Sequence, residues 1–345
     1  MKELGLHKIH SDGAMFTYVR EGKLQGLIVV NVDDVIMAGN ERFKIEVEDK
    51  LKDIFKFSKI EEGEFVYCGC RIRCKDDGTI ELDQDQYLNT ITPMMKASGE
   101  DERELNEEEK KEARGKIGAL LWVSLLTRPD LSFDVNILSS EVSKGTVRTV
   151  KNINKTIWKA KDKRNKIRFV KLGPISNLIV KVYSDASFGN QDESTRSTAG
   201  RIIFIENEES KVMNVAAWKT KKIPRVCRSV KGAETRALED ALDVGVHTAR
   251  LIEEIYKGDI EIKNPGQIPV KALTDSKSVW ENLHNTRQCE ERLLRNSIAG
   301  MKEMMELDMV KSVDWVPTKE QLADCLTKKG KNANDLMQII ARNKL

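Results

Sequence analysis

The 345-residue sequence predicts a mixed α and β first half joined to an α/β domain, and three observations carry that expectation. Residues 27–32 and 35–38 are apolar, β-rich runs on either side of Asp33 and Asp34, as in a hairpin. The pattern changes after Gly173 and Pro174, the punctuation of a connector leading into a new domain. Beyond them come three strand patterns, a helix, a strand, helices, a strand and a helix, the succession of an α/β layer fold. A hydrophobic fraction of 40% can fill ordinary cores and excludes wholesale disorder.

Taken in order, the first hairpin carries its two carboxylates at the tip and ends at Gly39. Asn40 is suited to cap a helix, and Phe43, Val47, Leu51, Ile54 and Phe55 recur at helical spacing, so one face of residues 41–55 is expected to be buried. Strand-like residues 64–74 and 79–82 flank the turn Asp76-Asp77-Gly78, and a helix is expected over 84–97. A long helix over 106–126 stops before Pro129, because the residue ahead of a proline avoids the helical region. In the second half the expected strands are 178–184, 201–206, 212–218, 270–274 and 310–316. The helices are 231–256, near 276–283, 290–306, and a terminal one after Pro317.

Net charge is +3, from 58 basic and 55 acidic residues, but the charges are segregated. Residues 144–171 hold eleven Lys or Arg against the single acid Asp162, and residues 219–231 hold six against none. Residues 100–112 carry eight acids against three bases. Partners respond to such local potential, although a basic run is also what a solvated face looks like. The longest apolar stretch, residues 117–126, is half of what a bilayer crossing needs, and the polar opening does not read as a signal peptide. An intracellular protein with reduced thiols is therefore expected. Cys68, Cys70 and Cys74 lack paired metal-ligand spacing, and His7, His10, His247 and His284 form no cluster in sequence.

Four acids in the second half stand at element ends: Asp185 and Asp275 after apolar strands, Glu234 and Asp324 in the first turns of helices. A carboxylate at the end of a buried strand is costly unless something cationic offsets it, and strand ends are where α/β sites form. Singly, such an Asp is more often a turn or capping residue, and a Glu in a first turn is favourable from the helix dipole alone. Together, clustered oxygen ligands without histidine suit hard ions such as Mg2+ or Mn2+, and two such ions can cleave phosphoesters.

The passages Ser184-Asp185-Ala186-Ser187, Arg196-Ser197-Thr198-Ala199-Gly200, Ala217-Trp218-Lys219-Thr220-Lys221-Lys222, Ala233-Glu234, Thr274-Asp275-Ser276, and Val316-Pro317-Thr318-Lys319-Glu320-Gln321-Leu322-Ala323-Asp324-Cys325-Leu326-Thr327-Lys328 resemble the RNase H domain of copia-type retrotransposon Pol polyproteins. In the first half, Val32-Asp33-Asp34 with Ala38-Gly39, and Thr127-Arg128-Pro129-Asp130-Leu131, resemble the end of their reverse transcriptase. The resemblance implies a truncated reverse-transcriptase palm and thumb over 1–140, a basic connection over 141–175 and an RNase H-like α/β domain over 176–345. That domain would have a mixed five-stranded sheet with flanking helices. The implied activity is cleavage of the RNA strand of RNA/DNA hybrids with two Mg2+ (or Mn2+) ions. Asp185 would bridge both ions, Asp324 would help hold the ion that activates water, and Glu234 and Asp275 would hold the other. Glu234 would also lie near the ribose 2'-hydroxyl.

On this resemblance Lys219, Lys221, Lys222, Arg225, Arg228 and Lys231, just ahead of Glu234, are candidates to meet the phosphates of a hybrid or other nucleic acid. No membrane partner is expected; a third reading, which nothing in the sequence demands, is a subunit completed by another Pol-derived chain that supplies the upstream polymerase part. The polymerase half departs from its family: Asn31 replaces the Tyr of the Tyr-x-Asp-Asp hairpin. The motif bearing a third Asp is missing, and Asp12 falls in a different family passage. Asp33 and Asp34 are thus expected to be a relic polymerase site, with no polymerase activity from this chain alone. The alternative to a ribonuclease is a non-catalytic nucleic-acid-binding Pol remnant.

Overall fold

Three β-sheets and ten α-helices make up the fold of the described residues in a computed structural model covering 1–95, 99–191, 196–258, 266–286, 289–330 and 333–345. The first sheet runs β1 (His7–Lys8), β2 (Met15–Arg20), β3 (Lys23–Asn31) and β4 (Asp34–Gly39), all antiparallel. The hairpin expected around the two acids is present, but its turn is Val32-Asp33, and Asp34 already pairs with Asn31. Val32 takes φ 53°, a conformation that β-branched residues rarely adopt, and it is 89% exposed.

Asn40 caps the next helix by accepting from the Phe43 N–H. That helix is not regular: α1 (Glu41–Phe43) passes through a π-helical turn, Lys44–Glu48, into α2 (Asp49–Ile54). Phe43, Val47 and Leu51 are buried as expected, whereas Ile54 and Phe55 are exposed. A wide turn changes the rotation per residue, so the later apolar pair no longer falls on the inward face.

The second sheet is β5 (Glu64–Tyr67), β6 (Cys70–Cys74), β7 (Ile80–Asp83) and β8 (Ile167–Phe169). The single strand expected over 64–74 is thus a hairpin. Cys68 and Gly69, at φ 50° and 75°, form its two-residue turn, and Tyr67 pairs with Cys70. α3 (Asp85–Thr90) ends seven residues short of the expected helix, because Pro93 excludes the helical region just ahead of it. The rest of that expectation, residues 96–97, lies outside the described residues.

α4 (Glu107–Leu126) opens with a reciprocal capping box between Asn106 and Glu109. It packs with α5 (Ser132–Glu141), which sequence reasoning missed, and α6 (Val147–Asp162) around Leu120, Val135, Ile153 and Ile157. The stretch read as a basic connector is therefore a helix built into this core, followed by β8.

The third sheet follows the expected order closely. β9 (Leu178–Gln191) is central, with β10 (Arg196–Asn207) and β11 (Met213–Lys222) antiparallel on one side. On the other side lie β12 (Val270–Thr274) and β13 (Ser312–Trp315), both parallel to β9. The spatial order β11-β10-β9-β12-β13 is the mixed five-stranded sheet that the resemblance implied. α7 (Val230–Lys257) and α9 (Arg295–Glu306) cover one face, burying Val180, Val182, Leu238, Leu242 and Ile298. Gly245 allows the close approach of α7, since a Cβ there would stand 2.5 Å from Val182 Cγ2. α8 (Lys277–His284) follows β12.

α10 (Ala333–Arg342) packs on the opposite face against Phe204 and Met213. The chain after Pro317 is not the α-helix expected there. It forms 3-10 turns at Thr318–Glu320 and Leu322–Leu326 before α10 begins. Packing at several points joins the two halves: Ile167 of β8 enters the core under Tyr183 and Phe204, Trp218 Nε1 donates to Ser124 O at 2.7 Å, and Ser11 N donates to Glu254 at 3.0 Å.

Candidate active site

Asp185 sits on the central strand β9, Asp275 directly follows β12, and Glu234 lies in the second turn of α7. β9 and β12 are neighbours in parallel register, so the chain beyond their paired segments runs in the same direction. Side-chain oxygens of Asp185, Glu234 and Asp275 all lie within 4.8 Å of one another. Asp185 is 1% exposed and Glu234 7%, while Asp275 is half-buried.

Burial and crowding decide the electrostatics. Desolvation pushes the Asp185 carboxyl up to about 6, against the pull of Lys328 and Thr327. Glu234 is pushed up to about 9, by burial first and then by the charge of Asp185. Its Oε2 is buried without a hydrogen-bond partner, and a carboxylate left so is costly unless a cation neutralises it. Oxygen donors alone, crowded and short of positive charge, suit a hard divalent ion, so the residues present fit one.

Asp324, also 1% exposed, comes to the same place but outside that group of three. It lies in the Leu322–Leu326 turn, where Lys328 donates to its Oδ1; the same ammonium stands 3.3 Å from Asp185 Oδ1. Thr327 Oγ1 donates to Asp185 Oδ2 and, at 3.2 Å, to Asp324 O. Burial alone would lower the Lys328 ammonium, but the two carboxylates hold it above the ordinary lysine value. Gln321 fixes the turn by donating to Ser184 O at 3.0 Å and Leu273 O at 3.3 Å, on the neighbouring strands β9 and β12. Thr318 Oγ1 donates to Asp275 Oδ2 at 2.9 Å. Sequence reasoning quoted Gln321, Thr327 and Lys328 without giving them roles. The one available signal was the i, i+4 spacing of Asp324 and Lys328, which on a helical turn brings the side chains together.

The six basic candidates divide. Lys219, Arg225 and Arg228 are exposed, and Lys222 and Lys231 are half-buried. Lys221 is engaged within the chain: Asp240 of α7 accepts from both Lys221 and Arg201. The other basic run is also partly neutralised. Arg148 and Lys151 pair with the acidic stretch through Glu102 and Asp101, Lys159 pairs with Asp134 at 2.8 Å, and Lys166 with Glu81 at 3.3 Å. Asp33 and Asp34 are both exposed on the first sheet, and among the described residues they join no group of three metal-ligating side chains. Cys68, Cys70 and Cys74 are free thiols and also join none. No helix among the described residues is long and apolar enough to cross a membrane.

The chain is similar to copia-type Gag-Pol polyproteins of transposons. It is 28% identical over 260 residues to the Transposon Ty1-DR1 Gag-Pol polyprotein of Saccharomyces cerevisiae, and equally to the Ty1-NL2 polyprotein. The match covers 73% of this chain but only 13% of each polyprotein. Among solved structures, an N-terminal RNase H domain from Mycobacterium tuberculosis is 18% identical with a TM-score of 0.31, covering 48% of this chain and 97% of that one. A foamy viral protease-reverse transcriptase in complex with dsDNA is 14% identical with a TM-score of 0.23, covering 84% of this chain and 55% of that one. No family model matches.

Proposed function

We propose that this chain is a retrotransposon-derived reverse transcriptase/RNase H fragment whose second half hydrolyses the RNA strand of RNA/DNA hybrids. The observation that carries the reading is the convergence of Asp185, Glu234 and Asp275 from three separate elements, with ligand oxygens within 4.8 Å of one another. Similarity to Gag-Pol polyproteins over 73% of the chain supports the same reading.

Asp185, Glu234 and Asp275 would hold a divalent ion, with Asp324 beside them. Such an ion supplies Lewis-acid activation of water and neutralises charge on the phosphate. The rest is done by the chain's own groups. Glu234 and Asp185, dry and crowded, hold their protons more tightly than free carboxyls do, so an ion entering the site takes the place of protons and gives these oxygens the positive charge they lack. The Leu322–Leu326 turn, fixed by Gln321, sets the position of Asp324 against the sheet. Exposed Lys219, Arg225 and Arg228, at the end of β11 and in the loop ahead of α7, are offered to the phosphate backbone.

The test is incubation of the purified chain with a hybrid labelled in its RNA strand. Mg2+-dependent release of short RNA, lost in Asp185→Asn, is the expected result. Hybrid binding with no cutting in Mg2+ or Mn2+ would favour a non-catalytic nucleic-acid-binding remnant.

A further inference from the structure

We propose that Lys328 is a built-in cation of the acid cluster, standing where a second divalent ion would bridge Asp185 and Asp324. Without nucleic acid, the chain then binds one ion tightly, at Asp185, Glu234 and Asp275. The inference rests on the reading of the cluster as an ion-binding site and changes its stoichiometry.

Three observations support it. The Lys328 ammonium lies 3.3 Å from Asp185 Oδ1 and donates to Asp324 Oδ1, so it occupies the space between the two carboxylates. Its backbone is held in place as well, since Lys328 N donates to Asp324 O at 3.0 Å. Meanwhile Asp324 stays outside the group of oxygens gathered within 4.8 Å, whereas Glu234 Oε2, on a side chain 7% exposed, has no partner at all. The cluster therefore has one side without a cation and one side that already holds one.

A divalent ion bridging Asp185 and Asp324 would stand within a few ångströms of the ammonium. In a desolvated pocket like charges at that range repel strongly, so the second ion must expel Lys328 to bind. An ion at Asp185, Glu234 and Asp275 instead meets the unpartnered oxygen, and although Lys328 stands 3.3 Å from Asp185 Oδ1, its closer contact is with Asp324, outside that group. Lys328 is thus a positioning residue that acts through Asp185 and Asp324.

The experiment is a Mn2+ titration of the full chain, without nucleic acid, followed by the EPR signal of free Mn2+. One tight ion is expected for the wild type and for Lys328→Arg, which keeps the cation. Two are expected for Lys328→Met, the second at least about tenfold tighter than in the wild type. Two equally tight ions on the wild type, one ion still on a folded Lys328→Met, or no tight ion on any of them would each overturn the assignment. If Lys328→Met does not fold by circular dichroism, Lys328→Gln replaces it, and the wild-type stoichiometry remains decisive. RNA cleavage is not the readout. One tight ion on a chain that cuts no hybrid would count against the proposed activity and for the role of Lys328.

Discussion

Gly200 stands opposite Asp185 across the antiparallel pair of β10 and β9, and its missing side chain is what lets the turn bearing Asp324 lie against the acid cluster. A Cβ at this position would come 2.8 Å from Leu326 Cβ and 2.8 Å from Thr327 Cγ2. Gly200→Ala must therefore push the turn away, an overpacking that costs about 1–3 kcal/mol. Urea unfolding and hybrid cleavage should both report it, because Thr327 and Asp324 move together. An unchanged unfolding midpoint with unchanged cleavage would show that the contact is not needed.

Buried carboxylates without a cation oppose folding. Glu234→Gln keeps the shape of the side chain and removes a charge that burial and Asp185 both disfavour. In EDTA this variant should melt above the wild type. Mg2+ should raise the melting temperature of the wild type by mass action and raise that of the variant less. A variant that melts lower in EDTA would contradict the electrostatic picture.

Hybrid binding through Lys219, Arg225 and Arg228 should weaken steeply with salt, since each phosphate contact releases counterions. Arg225→Ala and Arg228→Ala should each reduce the slope of log affinity against log salt by about one. Lys221→Ala should change the slope less, because Asp240 already pairs with that lysine. Affinity flat from low to moderate salt would remove the backbone-contact model.

Arg128, 1% exposed, pairs in a two-pronged contact with Asp130 through Nε at 2.8 Å and Nη2 at 2.7 Å, and its Nη1 donates to Ala160 O and Lys163 O. It ties the end of α4 to the end of α6. Arg128→Ala leaves Asp130 buried and unpaired, which costs about 3–5 kcal/mol. Thermal unfolding should show that loss. A drop within about 0.5 kcal/mol, typical of a surface site, would mean the pair is not buried in solution.

The third sheet was legible because its strands are apolar runs bounded by turn residues, a signal that local sequence carries. The convergence of Asp185, Glu234 and Asp275 was accessible through the order of those elements together with the resemblance of the passages that carry the acids. The misses have a common cause in longer-range or less common geometry. The Cys68-Gly69 turn, with a non-glycine residue at positive φ, carries little composition signal. The π-helical turn at Lys44–Glu48 breaks the period on which the burial of Ile54 and Phe55 was judged. The Leu322–Leu326 turn owes its shape to Gln321 and Gly200, contacts made across the fold. Charge windows found the basic runs, but the partners that neutralise part of them, Asp101, Glu102 and Asp240, are distant in sequence from the cations they meet.

The central claim is tested most directly by a hybrid labelled separately in each strand, incubated with wild type and with Asp185→Asn in Mg2+. The account predicts shortening of the RNA strand alone by the wild type, an intact DNA strand, and no cutting by Asp185→Asn although it still binds. Cutting that survives in Asp185→Asn, or a wild type that binds the hybrid and leaves both strands intact, would contradict it.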